Sequence, residues 1–272
     1  MKVREYIGRS LAATGLALLL AVGAGQAQQA AKEFEPQVGQ AGKDVIWVPT
    51  SLALINRMLD AAQVTPQDFV VDLGSGDGRT VVQAAKRGAK AMGIEYNPDM
   101  VALSRRNAQK EGVSERATFV HGDIFATDFS QATVVTMFLL SDLNLRLRPT
   151  ILDMKPGTRV ASNTFDMGDW EADEKLEVKE GCTSYCRGYF WIVPAKVEGT
   201  WKAGDSEITL KQTYQMVSGQ VKTGNVVAPI SAGRLKGDQI TFTAGGTTYT
   251  GKVTGNRIEG TAGSAKLEAT RG

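Results

Sequence analysis

Between Val70 and Arg79 the chain reads Val-Val-Asp-Leu-Gly-Ser-Gly-Asp-Gly-Arg. A β-branched, apolar run meets an acid, crosses three glycines at alternate positions and opens onto a stretch with helical periodicity. Glycine is needed where the backbone turns sharply or a ligand comes close to it. The helix start behind the loop offers unpaired N–H groups to a polar or anionic ligand. Asp72, at the strand's end, is positioned to receive an ammonium group.

The neighbouring segments continue this alternation. FVVDLG (69–74), KAMGIEY (90–96), ATFVHGD (117–123), TVVTMFLL (133–140) and TRVASNTF (158–165) read as strands, and the pattern predicts helices over 79–87 and 99–110. Pro98 falls at a helix start, where its missing N–H costs little. Strand–helix alternation of this kind implies an α/β fold, a parallel sheet with helices on both faces. LEVKE (176–180) and YFWIVPA (189–195) follow closely, so the sheet is expected to end in an antiparallel hairpin. Cys182 and Cys186 flank its turn. A disulfide is the favoured reading, because the spacing is CxxxC and not the CxxC of redox pairs. Near Val197 the composition changes. Residues 198–272 hold 13 of the 30 glycines and 12 threonines, in short alternating strands punctuated by glycine. GRLKGDQITFT (233–243) and GKVTGNRIEGT (251–261) look like two versions of one strand–turn–strand phrase. A small C-terminal antiparallel β domain, meander or barrel, is expected there.

At the other end, Lys2, Arg4 and Arg9 precede the apolar run LAATGLALLLAVGA (11–24), and Gly25-Gln26-Ala27 suits cleavage after Ala27. These are the parts of a secretory signal, and the apolar run is short of the roughly 20 residues of a spanning helix. The alternative is a retained membrane anchor; either sends the chain out of the cytosol. The expected organisation is a signal over 1–27, a linker over 28–44, a sheet domain over 45–197 and the β domain over 198–272. Loss of residues 1–27, with three basic groups against Glu5, takes Lys+Arg against Asp+Glu from 31:29 to 28:28. The charge therefore argues for no nucleic-acid partner. One histidine and two cysteines exclude His-rich or four-Cys metal centres, so no metal is expected.

Two nucleotide readings of the loop compete. The dinucleotide fingerprint GxGxxG requires a third glycine at 79, but Arg79 stands there and the glycine is Gly78. S-adenosyl-L-methionine fits better. Asp72 would hold its amino group, with Gly74, Ser75, Gly76 and Gly78 beside its methionine portion. Glu95, ending the next strand, would accept both ribose hydroxyls, and Asp123 would accept from the adenine amino group, with Ile124 and Phe125 flanking the ring. Asp77 either caps the helix or lines the pocket.

VDLGSGDGR (71–79), AKRGAKAMGIEYNP (85–98), SRRNA (104–108), VVTMFLL (134–140) and KPGTRVASNTFDMGDW (155–170) carry a resemblance, with Val48-Pro49-Thr50 ahead of them. Together they resemble class I S-adenosylmethionine-dependent methyltransferases, most nearly the protein-lysine methyltransferases of the ATP synthase c-subunit and their bacterial relatives. The resemblance implies a seven-strand Rossmann-like sheet, the cofactor site above and methyl transfer to a lysine amine of a protein substrate. It covers neither the leader nor the β-rich tail. Where many amino-group methyltransferases of this fold carry (D/N)PPY, this chain has Thr136-Met137-Phe138-Leu139-Leu140-Ser141-Asp142, which favours a flexible amine. Phe138 is read as a cation–π wall or as core, and Asp142 as a steering carboxylate or a helix cap. Trp47 closes over the cofactor or simply packs, and His121 is expected to be a structural bystander. A non-catalytic exported binding protein and an NAD(P) oxidoreductase are the rival readings. S-adenosylmethionine is made in the cytosol, so an exported enzyme would need it supplied.

Overall fold

In a computed structural model, which describes residues 33–272, the chain around the glycine loop forms one seven-stranded sheet. The leader expected over 1–27 lies outside the described residues. Strands β1 (Phe69–Leu73), β2 (Lys90–Glu95), β3 (Ala117–His121), β4 (Val134–Met137) and β5 (Arg159–Asn163) run parallel. Strands β6 (Glu174–Glu177) and β7 (Arg187–Ile192) form the expected antiparallel hairpin, giving the order β3-β2-β1-β4-β5-β7-β6. Cys182 and Cys186 are bonded across its turn.

Successive side chains of β1 face opposite sides of the sheet. Val70 packs with helices α1 (Leu52–Ala61), α2 (Arg79–Lys86) and α3 (Pro98–Lys110). Val71 and Leu73 pack with α4 (Ser141–Leu152), Trp170 and Trp191. Helices therefore cover both faces, as the alternation predicts. Ser51 caps α1 by accepting from the Leu54 N–H, and Asn97 caps α3 with Pro98 in its first turn. The fourth strand is shorter than its apolar run. It stops at Met137 because Leu140 already occupies the N-cap position of α4, so Phe138–Leu140 leave the sheet as a loop.

The remaining strands are β8 (Gly199–Ala203), β9 (Ser206–Thr213), β10 (Met216–Thr223), β11 (Val226–Lys236), β12 (Gln239–Ala244), β13 (Thr247–Thr254), β14 (Arg257–Ala262) and β15 (Ala265–Thr270). They close into an antiparallel barrel, which leaves no open sheet edge. Trp201, Ile208, Leu210, Ile240 and Phe242 are among the side chains filling it. The two similar phrases of the sequence are the hairpins β11–β12 and β13–β14, each turning on Gly-Asp or Gly-Asn with the glycine at positive φ.

The β9–β10 turn breaks that rule. Its first residue is Tyr214, at φ 53°, a region that bulky side chains seldom adopt. Here the barrel meets the sheet domain. The Tyr214 ring stacks on Trp170 at 6.0 Å, and Arg148 lies 5.4 Å from its centroid. Next to it the buried Gln215 donates to the Glu171 carbonyl at 2.7 Å. The contacts of the joint hold the turn in its uncommon geometry. Tyr214→Ala keeps the backbone cost and loses the stacking, so it is expected to lower stability by about 1–3 kcal/mol. Urea unfolding measures this, and an unchanged midpoint would show that the joint contributes nothing.

Candidate active site

A cavity of about 500 Å³ opens at the carboxyl ends of the parallel strands, spanning the switch point where the sheet order reverses between β1 and β4. Its walls follow the strand order. Gly122, Asp123 and Ile124 come from the end of β3, Glu95 from β2, Asp72 and Gly74–Asp77 from β1, and Phe138–Leu140 from β4. Phe165, after β5, and Tyr185, in the β6–β7 turn, line it as well.

Asp72 is 6 % exposed, and its surroundings among the described residues are two hydroxyls and two acids, with no cation. Thr136, opposite it in register on β4, donates its hydroxyl to Oδ1 at 2.6 Å, and the Thr80 hydroxyl also bonds the carboxylate. Burial pushes its pKa up to about 7; the two hydroxyls oppose this, and the negative charges of Asp77 and Glu95 add to it. The result is a buried carboxylate whose charge lacks compensation.

The glycine loop is held from three sides. Gly74 and Ser75 donate to the Ile94 carbonyl, and Gly76 donates to Glu95 Oε2 at 2.9 Å. From α3, Ser104 donates to the Gly76 carbonyl at 2.8 Å and Asn107 to the Asp77 carbonyl at 2.9 Å. Gly78, at φ 79°, is the N-cap of α2, and a Cβ there would stand 2.7 Å from Phe119 and 2.8 Å from Ser104. Asp77 lines the cavity, while the N-cap position of α2 belongs to Gly78. The Asp77 carboxylate accepts from the Arg79 N–H and guanidinium at the start of α2. Arg79 in turn donates to the Thr50 carbonyl, tying the loop to the segment before α1.

That segment is a strap. Residues 40–44, part of the expected linker, line the cavity as a tight hairpin closed by Gly39–Trp47 and Gly42–Val45 hydrogen bonds. Trp47 sits against the loop, and a Cβ on Gly76 would lie 2.6 Å from its Nε1. Lys43, at the tip, donates to Asp123 Oδ2 at 2.6 Å and lies 5.0 Å from the Tyr96 centroid. The Lys43 hydrogen bond, then that of the Phe125 N–H, hold the Asp123 carboxyl below its usual range.

At the far end the Phe138 ring meets Tyr185 edge-on at 5.2 Å and Phe165 at 6.1 Å in a stacked arrangement. Ser162 and the buried Asn144 both donate to the Phe165 carbonyl. Asp142 does not join this wall. It is exposed on the first turn of α4, where a carboxylate suits the helix dipole, and it does not line the cavity. His121 is exposed and meets the edge of Tyr96 at 6.1 Å. Of the site residues expected from sequence, Asp72, Gly74, Ser75, Gly76, Asp77, Glu95, Asp123, Ile124 and Phe138 share one cavity, with Gly78 behind them. Thr80, Thr136, Phe165, Tyr185 and residues 40–44 join the site without having been expected there, whereas Trp47 was. A threonine inside the apolar run of β4 was the one available signal.

Residues 72–174 match the model of the ANTKMT methyltransferase domain. The chain is 44 % identical over 140 residues to a protein-lysine N-methyltransferase of Saccharolobus islandicus, spanning 50 % of this chain and 87 % of that protein. It is 38 % identical over 105 residues to the human lysine N-methyltransferase of the ATP synthase c-subunit, and this match takes in 38 % of this chain and 45 % of that one. It is also similar to the crystal structure of an RNA methyltransferase from Salinibacter ruber in complex with S-adenosyl-L-homocysteine, at 41 % identity and a TM-score of 0.52. That likeness covers 55 % of this chain and 96 % of the other. The chain thus spans less than half of the human relative, and the family match ends before the barrel.

The residues present fit that cofactor. A buried carboxylate without a cation, a glycine loop beside it and the unpartnered buried hydroxyl of Ser75 suit a ligand bearing an ammonium group. Without ligand, Asp72 is a cost to the fold. Its folded pKa of about 7 lies above the ordinary 3.8, so stability present below pH 3.8 is lost as pH rises through 7. By linkage the loss is on the order of 4 kcal/mol. Asp72→Asn is expected to be the more stable protein at pH 8, with the advantage shrinking toward pH 4. Parallel thermal-unfolding curves across that range would contradict it.

Proposed function

Because the chain belongs to the class I S-adenosylmethionine-dependent methyltransferases, we propose that it methylates a lysine side-chain amine of a protein. The observation that carries this reading is the order of side chains along the strand ends. Carboxylates occupy the β3–β1 side of the cavity, and Phe138, Leu139, Phe165 and Tyr185 occupy the β4–β7 side. The names of the Saccharolobus and human relatives favour lysine. They do not favour the oxidoreductase or non-catalytic readings.

In this proposal Asp72 binds the cofactor's ammonium, Glu95 its ribose hydroxyls, and Asp123 with Ile124 its adenine, while Gly74–Gly78 let the methionine portion pass close to the backbone. The bound sulfonium supplies an already activated methyl group. The protein must therefore align the amine and exclude water. The aromatic side does both. Its low polarity favours the neutral amine, and Phe138 offers its ring face to the approaching ammonium. No carboxylate lines that side among the described residues, so the amine Nζ gives its proton to water at the cavity mouth. Trp47 and the strap cover the loop from above.

Incubation with methyl-labelled S-adenosylmethionine and a cell extract is expected to place label in methyl-lysine of protein. Phe138→Ala should lower kcat/KM about 10- to 100-fold with S-adenosylhomocysteine affinity within about threefold of wild type. An RNA acceptor is the second reading, favoured by the name of the Salinibacter structure. Label recovered in RNA and not in protein would overturn the lysine assignment.

The proposal also places the enzyme outside the cytosol. The basic and then apolar start of the sequence and the Cys182–Cys186 bond support this, since disulfides persist in oxidising compartments. N-terminal sequencing of the extracytoplasmic protein is expected to begin at Gln28. An intact Met1 in the cytosolic fraction would contradict it.

A further inference from the structure

Of the three rings at the apolar end of the cavity, two follow the ends of parallel strands and one stands in a hairpin turn. Phe138 follows β4 directly, and Phe165 is pinned through its carbonyl by Ser162 and Asn144. Tyr185 stands instead in the three-residue segment enclosed by Cys182 and Cys186, 44 % exposed. Its φ of 54° is one that a tyrosine rarely adopts without constraint. The constraint is local. The small ring closes at Cys186, whose carbonyl accepts from the Val178 N–H at 3.0 Å, and Gly181 abuts Ala53 of α1. This backbone directs the Tyr185 ring at the edge of Phe138, 5.2 Å away.

We infer that Tyr185 is a specificity-determining wall of the acceptor channel, held in place by the Cys182–Cys186 ring, so that the state of this disulfide sets amine binding. The inference rests on the lysine reading and deepens it. Opening the ring takes two electrons and two protons from a dithiol, which leaves as its own disulfide while Cys182 and Cys186 become thiols. Tyr185 then has no enforced φ and relaxes away from Phe138. The cofactor side, built on β1–β3, does not change.

The test uses the full chain saturated with S-adenosylhomocysteine and titrated with Nα-acetyl-Nε-trimethyllysine amide, followed by NMR. Tyr185→Ala is expected to weaken binding of this probe about fivefold or more, and Tyr185→Phe by less than about twofold. Cys182→Ser/Cys186→Ser, or prior reduction by a dithiol, should weaken it about threefold or more. S-adenosylhomocysteine affinity should stay within about twofold in all of them. Equal probe affinity in wild type, Tyr185→Ala and the reduced protein would overturn the inference, as would no probe binding to wild type. Failure of S-adenosylhomocysteine itself to bind would instead bring down the cofactor reading, and this inference with it.

Discussion

A carboxylate buried without a cation is the feature on which the rest of the site depends. Asp72 sits near the carboxyl end of β1, beside the central strand β4, where burial penalises its charge. Thr136 and Thr80 supply hydroxyl donors, which lessen that penalty without neutralising it. Asp77 and Glu95 make it worse. A fold selected only for stability would place an apolar or amide side chain there. The retained acid makes sense as half of an ion pair whose other half arrives with the ligand, the usual trade of stability for function at a site.

Around that acid the protein concentrates its rigidity on the backbone of the glycine loop. The loop's carbonyls are taken up by Ser104 and Asn107, its amides by Ile94 and Glu95, and its outer face by Trp47. A loop so bound costs little reorganisation when a ligand enters. The strap adds a second layer, with Arg79 joining it to the loop and Lys43 joining it to Asp123. The other side of the cavity is built differently. Its surfaces are rings, and the polar groups near them, such as Asn144 and Ser162, face backward to fix the chain. Charge recognition and desolvation are thereby separated along one sheet edge.

What could be read from sequence was whatever depends on local pattern. The glycine spacing, the helix behind it, the acids closing β1 and β2 and the one just after β3, and the Gly-X turns of the barrel are all set by neighbours a few residues away. The hairpin and its two cysteines were legible for the same reason. Contacts created by sheet order were not. Thr136 meets Asp72 only because β4 pairs with β1, and Phe165 and Tyr185 reach Phe138 only because β5 and β7 follow β4 across the sheet. Asp142 is the converse. It is close to Phe138 in sequence, but the start of α4 places it at the surface. The strap has no periodicity to betray it, and Tyr214 occupies a turn position where the pattern of the barrel calls for glycine.

Proton release on cofactor binding tests the role of Asp72 most directly. At pH 6 the acid is mostly protonated in the free protein, because burial lifts its pKa to about 7, while the amino group of S-adenosylhomocysteine is already charged. Pairing the two requires Asp72 to ionise. Calorimetric titration at pH 6 in buffers of different ionisation enthalpy should report close to one proton released per cofactor bound, and none from Asp72→Asn. Tight binding by the wild-type protein with no proton released at that pH would contradict the pairing of Asp72 with the cofactor.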